Sequence, residues 1–162
     1  MDLKGILSIA GHGGLFKMIS QGKNAVIVEN LDTGNRMPAY ASAKISSLVD
    51  ISIYTEDDEM ALADVFEKIM EKEENKEISN PKKIDNNDLK AYFKEIIPDY
   101  DTDRVYVSDM KKVLTWYNEL LKHGLLEKEP EPEEEEQTKE GTETRVSEES
   151  NAEPEETGAE EK

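Results

Sequence analysis

The apolar positions of this chain change period close to residue 57. Between residues 15 and 55 they fall in short runs or in alternation. "LFKMIS" is followed by the turn-rich "QGKN", and "AVIVENL" is dense in β-branched side chains, which suit a pleated, half-buried surface. "DTGN" then places Gly34 where a hairpin needs a left-handed residue. "RMPAYA" reads as the return strand. Its Pro38 has no N–H to give to a ladder and fits an edge or a bulge. "DISIYT" alternates, with Ile51 and Ile53 on one face and Asp50, Ser52 and Tyr54 on the other. Four or five short strands with tight turns predict a small antiparallel barrel of the SH3-like kind. Phe16, Met18, Leu15 and Ile19 are its expected core. A flat stack of hairpins is less favoured, because its edges would be exposed.

Beyond residue 57 the period is helical. Leu62, Val65, Phe66, Ile69 and Met70 share one face of a helix expected over 58–73. "KEENKEISNPKK" has no apolar period and contains Pro81, so it reads as a linker. A second helix is expected over 87–97, with a stripe of Leu89, Tyr92, Phe93, Ile96 and Ile97 that stops at Pro98. A third is expected over 108–123, with Ser108 as N-cap, a stripe from Met110 to Leu121, and Gly124 as its terminator. The last two helices should pack as a hairpin.

Charge redraws the end of the chain. The sequence has 162 residues and a formal net charge of -18. Residues 127–162 carry -12 of it, against -6 for residues 1–126. From Glu129 onward the only aliphatic side chains are Val146, Ala152 and Ala159. Such a segment cannot bury enough apolar surface to offset the entropy of ordering it, so it reads as a disordered acidic tail. There are no cysteines, which excludes disulfides, thiol catalysis and cysteine-based zinc sites. No stretch approaches the roughly 20 apolar residues of a membrane span. "MDLKGILSIAGHGG" lacks the basic start and long apolar run of a secretory leader. A cytoplasmic protein without membrane contact is the expectation.

Two blocks resemble a family of small bacterial proteins known only as a domain of unknown function. One is "DLKGILSIAGHGGLFKMISQGKNAVIVENL" with "ASAKISSLVDISIYT"; the other is "DLKAYFKEIIPDYDTDRVYVSDMKKVLTWYNELL". The resemblance implies an N-terminal β module followed by a helical one. It assigns no catalytic or binding residue.

The candidate chemistry is sparse. In "GHGGLF" the glycines lead into a strand and no Gly-Lys-Ser/Thr follows, so a tight turn with positive φ is favoured over a phosphate loop. His12 and His123 lie in different modules, and one or two ligands do not make a zinc site. "DYDTD" puts Asp99, Asp101 and Asp103 at alternate positions. The sixth and twelfth positions of an EF-hand frame would be Arg104 and Met110, so only a weak divalent-cation site is open there. No cofactor and no catalytic residue is expected. The expected role is non-catalytic binding of another protein, with Trp116, Tyr54 and Tyr40 as aromatic anchors. The alternative is a nucleic-acid or ribosome contact through Lys17, Lys23, Lys44, Lys111 and Lys112, which net negative charge disfavours. The chain is thus expected to be α+β: a barrel domain over 1–56, a connecting helix over 57–74, a linker over 75–84, a helical hairpin over 85–126 and the tail over 127–162.

Overall fold

Strands β1 (Ile6–Ile9), β2 (Leu15–Gln21), β3 (Ala25–Asn30), β4 (Arg36–Tyr40) and β5 (Ile45–Ser47) form one antiparallel sheet in the order β4-β3-β2-β1-β5. The computed structural model describes residues 1–127. The acidic tail expected beyond them therefore lies outside the described residues. The β3–β4 turn is made as its residues require. Gly34 has φ +69°, and Asn30 Oδ1 accepts from the Asp32 and Thr33 N–H groups.

The sheet is open and not a closed SH3-like barrel, because β4 and β5 end it and do not pair with each other. Its edges are blunted in two other ways. β5 is three residues long, and Pro38 withholds a donor from β4. Both faces bury apolar side chains. Leu7, Ile9, Phe16, Val28 and Ala39 make a small core on one face. Ile6 and Leu15 on the other face join the main core with the helices. Of the expected core of β2, Leu15 and Phe16 are buried, whereas Met18 and Ile19 are exposed. The pairing with β3 slips between Met18 and Ser20, which ends the inward alternation.

Strands β6 (Ser52–Tyr54) and β7 (Glu59–Ala61) form a separate two-stranded sheet. Pairing of β7 delays α1, which runs Leu62–Glu73 and not from residue 58. Helix α2 spans Asn86–Ile96, and its Asp85 cap accepts from the Asn87 N–H at 2.9 Å. Helix α3 spans Val107–Lys122. Its N-cap is Tyr106 and not Ser108, and no side chain caps it. Gly124, at φ +67°, closes it as expected. The Gly124 N–H donates to Leu121 and the Leu125 N–H to Leu120, the paired bonds of a Schellman end.

One core joins sheet and helices. Phe66 of α1, Phe93 of α2 and Tyr117 of α3 are fully buried in it with Leu15 and Leu48. The stretch expected as a linker is strapped to α3. The Asn118 side chain accepts from the Ile78 N–H at 2.8 Å and donates to the Ile78 carbonyl at 2.7 Å, while Tyr117 Oη donates to the Lys76 carbonyl. A 3-10 turn at Pro81–Lys83 follows. Among the described residues, no helix is long and apolar enough to cross a membrane.

Candidate functional site

The glycine-rich turn between β1 and β2 faces α3 across a cleft of about 610 Å³. The turn is tight because Gly11 and Gly14 adopt φ of +84° and +82°. At Gly14 a side chain would also crowd its neighbours. A Cβ there would lie 3.1 Å from a Glu119 oxygen and 3.3 Å from the Asn30 amide. At Gly11 and Gly13 a Cβ would meet nothing within 4 Å, so this side of the turn is open.

Glu119 fixes the end of the turn. It is 7% exposed, and its Oε1 accepts from the Leu15 N–H at 2.7 Å. Burial pushes its carboxyl above the ordinary range, and the Leu15 N–H partly opposes that shift. The neighbouring Asp32 is the opposite case. Lys122 Nζ at 2.9 Å and His123 Nε2 at 3.2 Å hold its carboxyl below the ordinary range.

Lysines gather on the open side. Lys44 reaches the cleft from before β5, Lys82 from the strap, and Lys111 and Lys112 from the first turns of α3. No carboxylate lines this end. Lys112 has Asp109 at 3.7 Å; Lys44, Lys82 and Lys111 have no ion pair among the described residues. Ser8, Ser46, Ser108, Thr115 and His12 add polar groups to the wall, with the His12 ring set edge-on to Phe16.

Half-buried Trp116 lines both this cleft and a second recess of about 230 Å³. The two share Ile51, Lys112 and Trp116, so they form one groove with a basic and an apolar end. Ile53, Tyr54, Val105 and Val113 supply the apolar end. Arg104 sits over the Tyr54 ring at 4.5 Å while donating to Asp101 at 2.7 Å. That pairing raises the proton affinity of Arg104 and lowers that of Asp101.

The groove thus unites Trp116 and Tyr54 with Lys44, Lys111 and Lys112. Tyr40 stands exposed on edge strand β4, Lys17 lies on β2 and Lys23 in the turn after it, and none of the three lines the groove. In the "DYDTD" loop, Asp101 Oδ1 accepts from the Asp103 and Arg104 N–H groups, so this carboxylate organises its own loop. His123 is bound to Asp32, and His12 faces the groove. Among the described residues, no three His, Asp or Glu side chains are placed to hold a metal. Sequence patterning does not reveal Glu119. Lys82 is visible there only as half of a basic pair with Lys83.

An open sheet joined by one core to three helices defines an α+β protein with a groove between its glycine-rich turn and α3. Residues 3–48 match one domain of unknown function (DUF5606), and residues 51–120 match a second (DUF6852). A solution NMR structure of a protein from Bacteroides vulgatus is 49% identical, covering 78% of this chain and 90% of its own, with a TM-score of 0.65. The chain belongs to the family of that protein, an uncharacterised family built from these two domains. No curated protein matches it significantly. The border between the matched regions falls between residues 48 and 51, ahead of β6. Strands β6 and β7 thus lie within the second match.

Proposed function

We propose that this protein is a non-catalytic binding protein and that its ligand surface is the groove from the glycine-rich turn past Trp116 to Tyr54. The ligand is a polyanion with an apolar or flat group beside its charges. The observation that carries this reading is the meeting of Lys44, Lys82, Lys111 and Lys112 at one end of the groove, where Asp109, 3.7 Å from Lys112, is the one carboxylate near them and the other three lysines have no ion pair among the described residues. Four like charges held together are unfavourable unless something negative answers them, and a walled cleft concentrates their field. Trp116 and the apolar recess supply the rest of the contact.

Binding without chemistry fits the placement of the titrating groups. Of the groups whose proton equilibria the fold displaces, Asp32, Tyr92, Asp101, Tyr117, Glu119 and Lys122 stand outside the groove, and the one that lines it, Arg104, is moved further toward its permanently charged form. General acid–base work would need such groups beside the ligand.

The test is a titration of the full chain with heparin, a flexible polyanion. Lys44→Glu with Lys111→Glu is expected to weaken binding at least about tenfold, since charge reversal replaces two attractions by repulsions. Lys17→Glu with Lys23→Glu changes the same net charge outside the groove and is expected to have little effect. Equal losses from the two pairs would defeat the assignment of the groove.

A further inference from the structure

We infer that the groove takes single-stranded nucleic acid, with backbone phosphates over Lys44, Lys82, Lys111 and Lys112 and a base against Trp116. The inference rests on the groove being the polyanion site proposed above, and it names the class of polyanion.

Two observations favour a nucleic-acid strand over an acidic peptide. The cations at the basic end are all lysines. An ammonium is a point charge that accepts a phosphate from many directions, whereas carboxylates are best matched by the planar fork of arginine. The one arginine of the groove, Arg104, lies at the other end and is already bound to Asp101. The second observation is the chain's single tryptophan, placed where the lysines give way to Ile51, Ile53 and Tyr54. A cationic track beside an aromatic face is how proteins hold unpaired strands without reading their sequence, because every base has a face to stack.

The same geometry speaks against a duplex. A base must leave its stack to lie against a half-buried ring that lines both recesses, which a single strand allows at little cost. Residues 1–126 carry -6 overall, so a long duplex would be repelled wherever it left the groove. The turn suits a close phosphate approach. Gly11 and Gly13 present bare backbone on the open side, and Ser46 and Ser108 line the same cleft.

Trp116 makes the test direct, since its fluorescence reports from the site alone. The full chain is titrated with oligo(dT) and oligo(U) of about 12 nucleotides, a length within the usual single-strand footprint. A polyglutamate of equal charge is run beside them. Both oligonucleotides are expected to quench Trp116 and to bind more tightly than polyglutamate. The slope of log K against log salt is expected at about -2.8, from four phosphates at about 0.7 ion each. Lys44→Gln with Lys111→Gln should halve that slope to about -1.4. Trp116→Ala should lower affinity about tenfold and leave the slope unchanged. Because Trp116 is half-buried, Trp116→Phe serves as the milder variant, with a smaller loss at the same slope. If polyglutamate quenches Trp116 as strongly as the oligonucleotides at equal affinity, nucleic acid is the wrong class and the polyanion reading survives. If neither ligand binds, both readings fall. Oligonucleotide binding that ignores the lysine pair also overturns the inference.

Discussion

The two ends of helix α3 use charge in opposite ways. At its start, Lys111 and Lys112 line an open groove, and Lys111 has no ion-pair partner among the described residues. At its end every charge is answered from within. Glu119 is buried against the Leu15 N–H, and Lys122 and His123 close on Asp32. One helix thus carries the surface proposed for binding and, about two turns later, a clamp between Glu119 and the Leu15 N–H at the start of β2. The charges of the clamp are paired and partly desolvated, whereas at the groove Lys112 has only Asp109 at 3.7 Å and Lys111 has no ion pair among the described residues.

That contrast can be broken at the clamp first. Replacing Glu119 by Ala leaves the buried Leu15 N–H without an acceptor, and we expect a loss of about 2–3 kcal/mol in urea unfolding. Glu119→Gln keeps an acceptor and separates the charge from the bond. Burial raises the Glu119 carboxyl above its ordinary 4.5, so the folded chain binds that proton more tightly than the unfolded one. Its contribution to stability therefore falls as pH rises from about 4.5 through the folded value. The glutamine variant should lose that falling limb, and a parallel pH profile would show the limb belongs elsewhere.

Gly14→Ala probes the same contact from the sheet side. Positive φ and a Cβ at 3.1 Å from Glu119 should together cost about 1–3 kcal/mol. An unchanged denaturation midpoint would mean that the clamp yields easily.

The smallest effect belongs to Asp32→Asn, an exposed pair worth under about 1 kcal/mol. Its sign with pH opposes that of Glu119. Lys122 and His123 depress the Asp32 carboxyl below 3.8, so its stabilisation is present above that value and is lost as pH falls through the folded one. The asparagine variant should therefore show a shallower acid limb in thermal melts.

Much of this architecture was legible because burial wrote it as a period. The stripes of α2 and α3 gave both helices to within one residue at each end. Strands β1, β5 and β7 are three or four residues long, too short for alternation to rise above chance, and they are held by pairing. The barrel expectation failed because sequence shows edges only as residues. Pro38 was legible as an edge residue, but the three-residue length of β5, which blunts the opposite edge, is set by pairing and not by any local pattern. Lys44, Lys111, Lys112 and Trp116 each stood out along the chain. Their meeting depends on how α3 lies across the sheet, a long-range contact that no local pattern encodes. Glu119 gave no signal, because a buried carboxylate and a solvated one are spelled alike.

The wall of α3 that faces the groove also works as a ruler. Ser108 and Trp116 both line the basic end and stand eight residues apart on a continuous helix. At a rise of about 1.5 Å per residue they are separated by about 12 Å. A helix neither stretches nor slides to meet a short molecule. The distance between the first hydroxyl and the ring therefore sets a minimum length for any ligand that engages both, and fragments below it would have to choose one end.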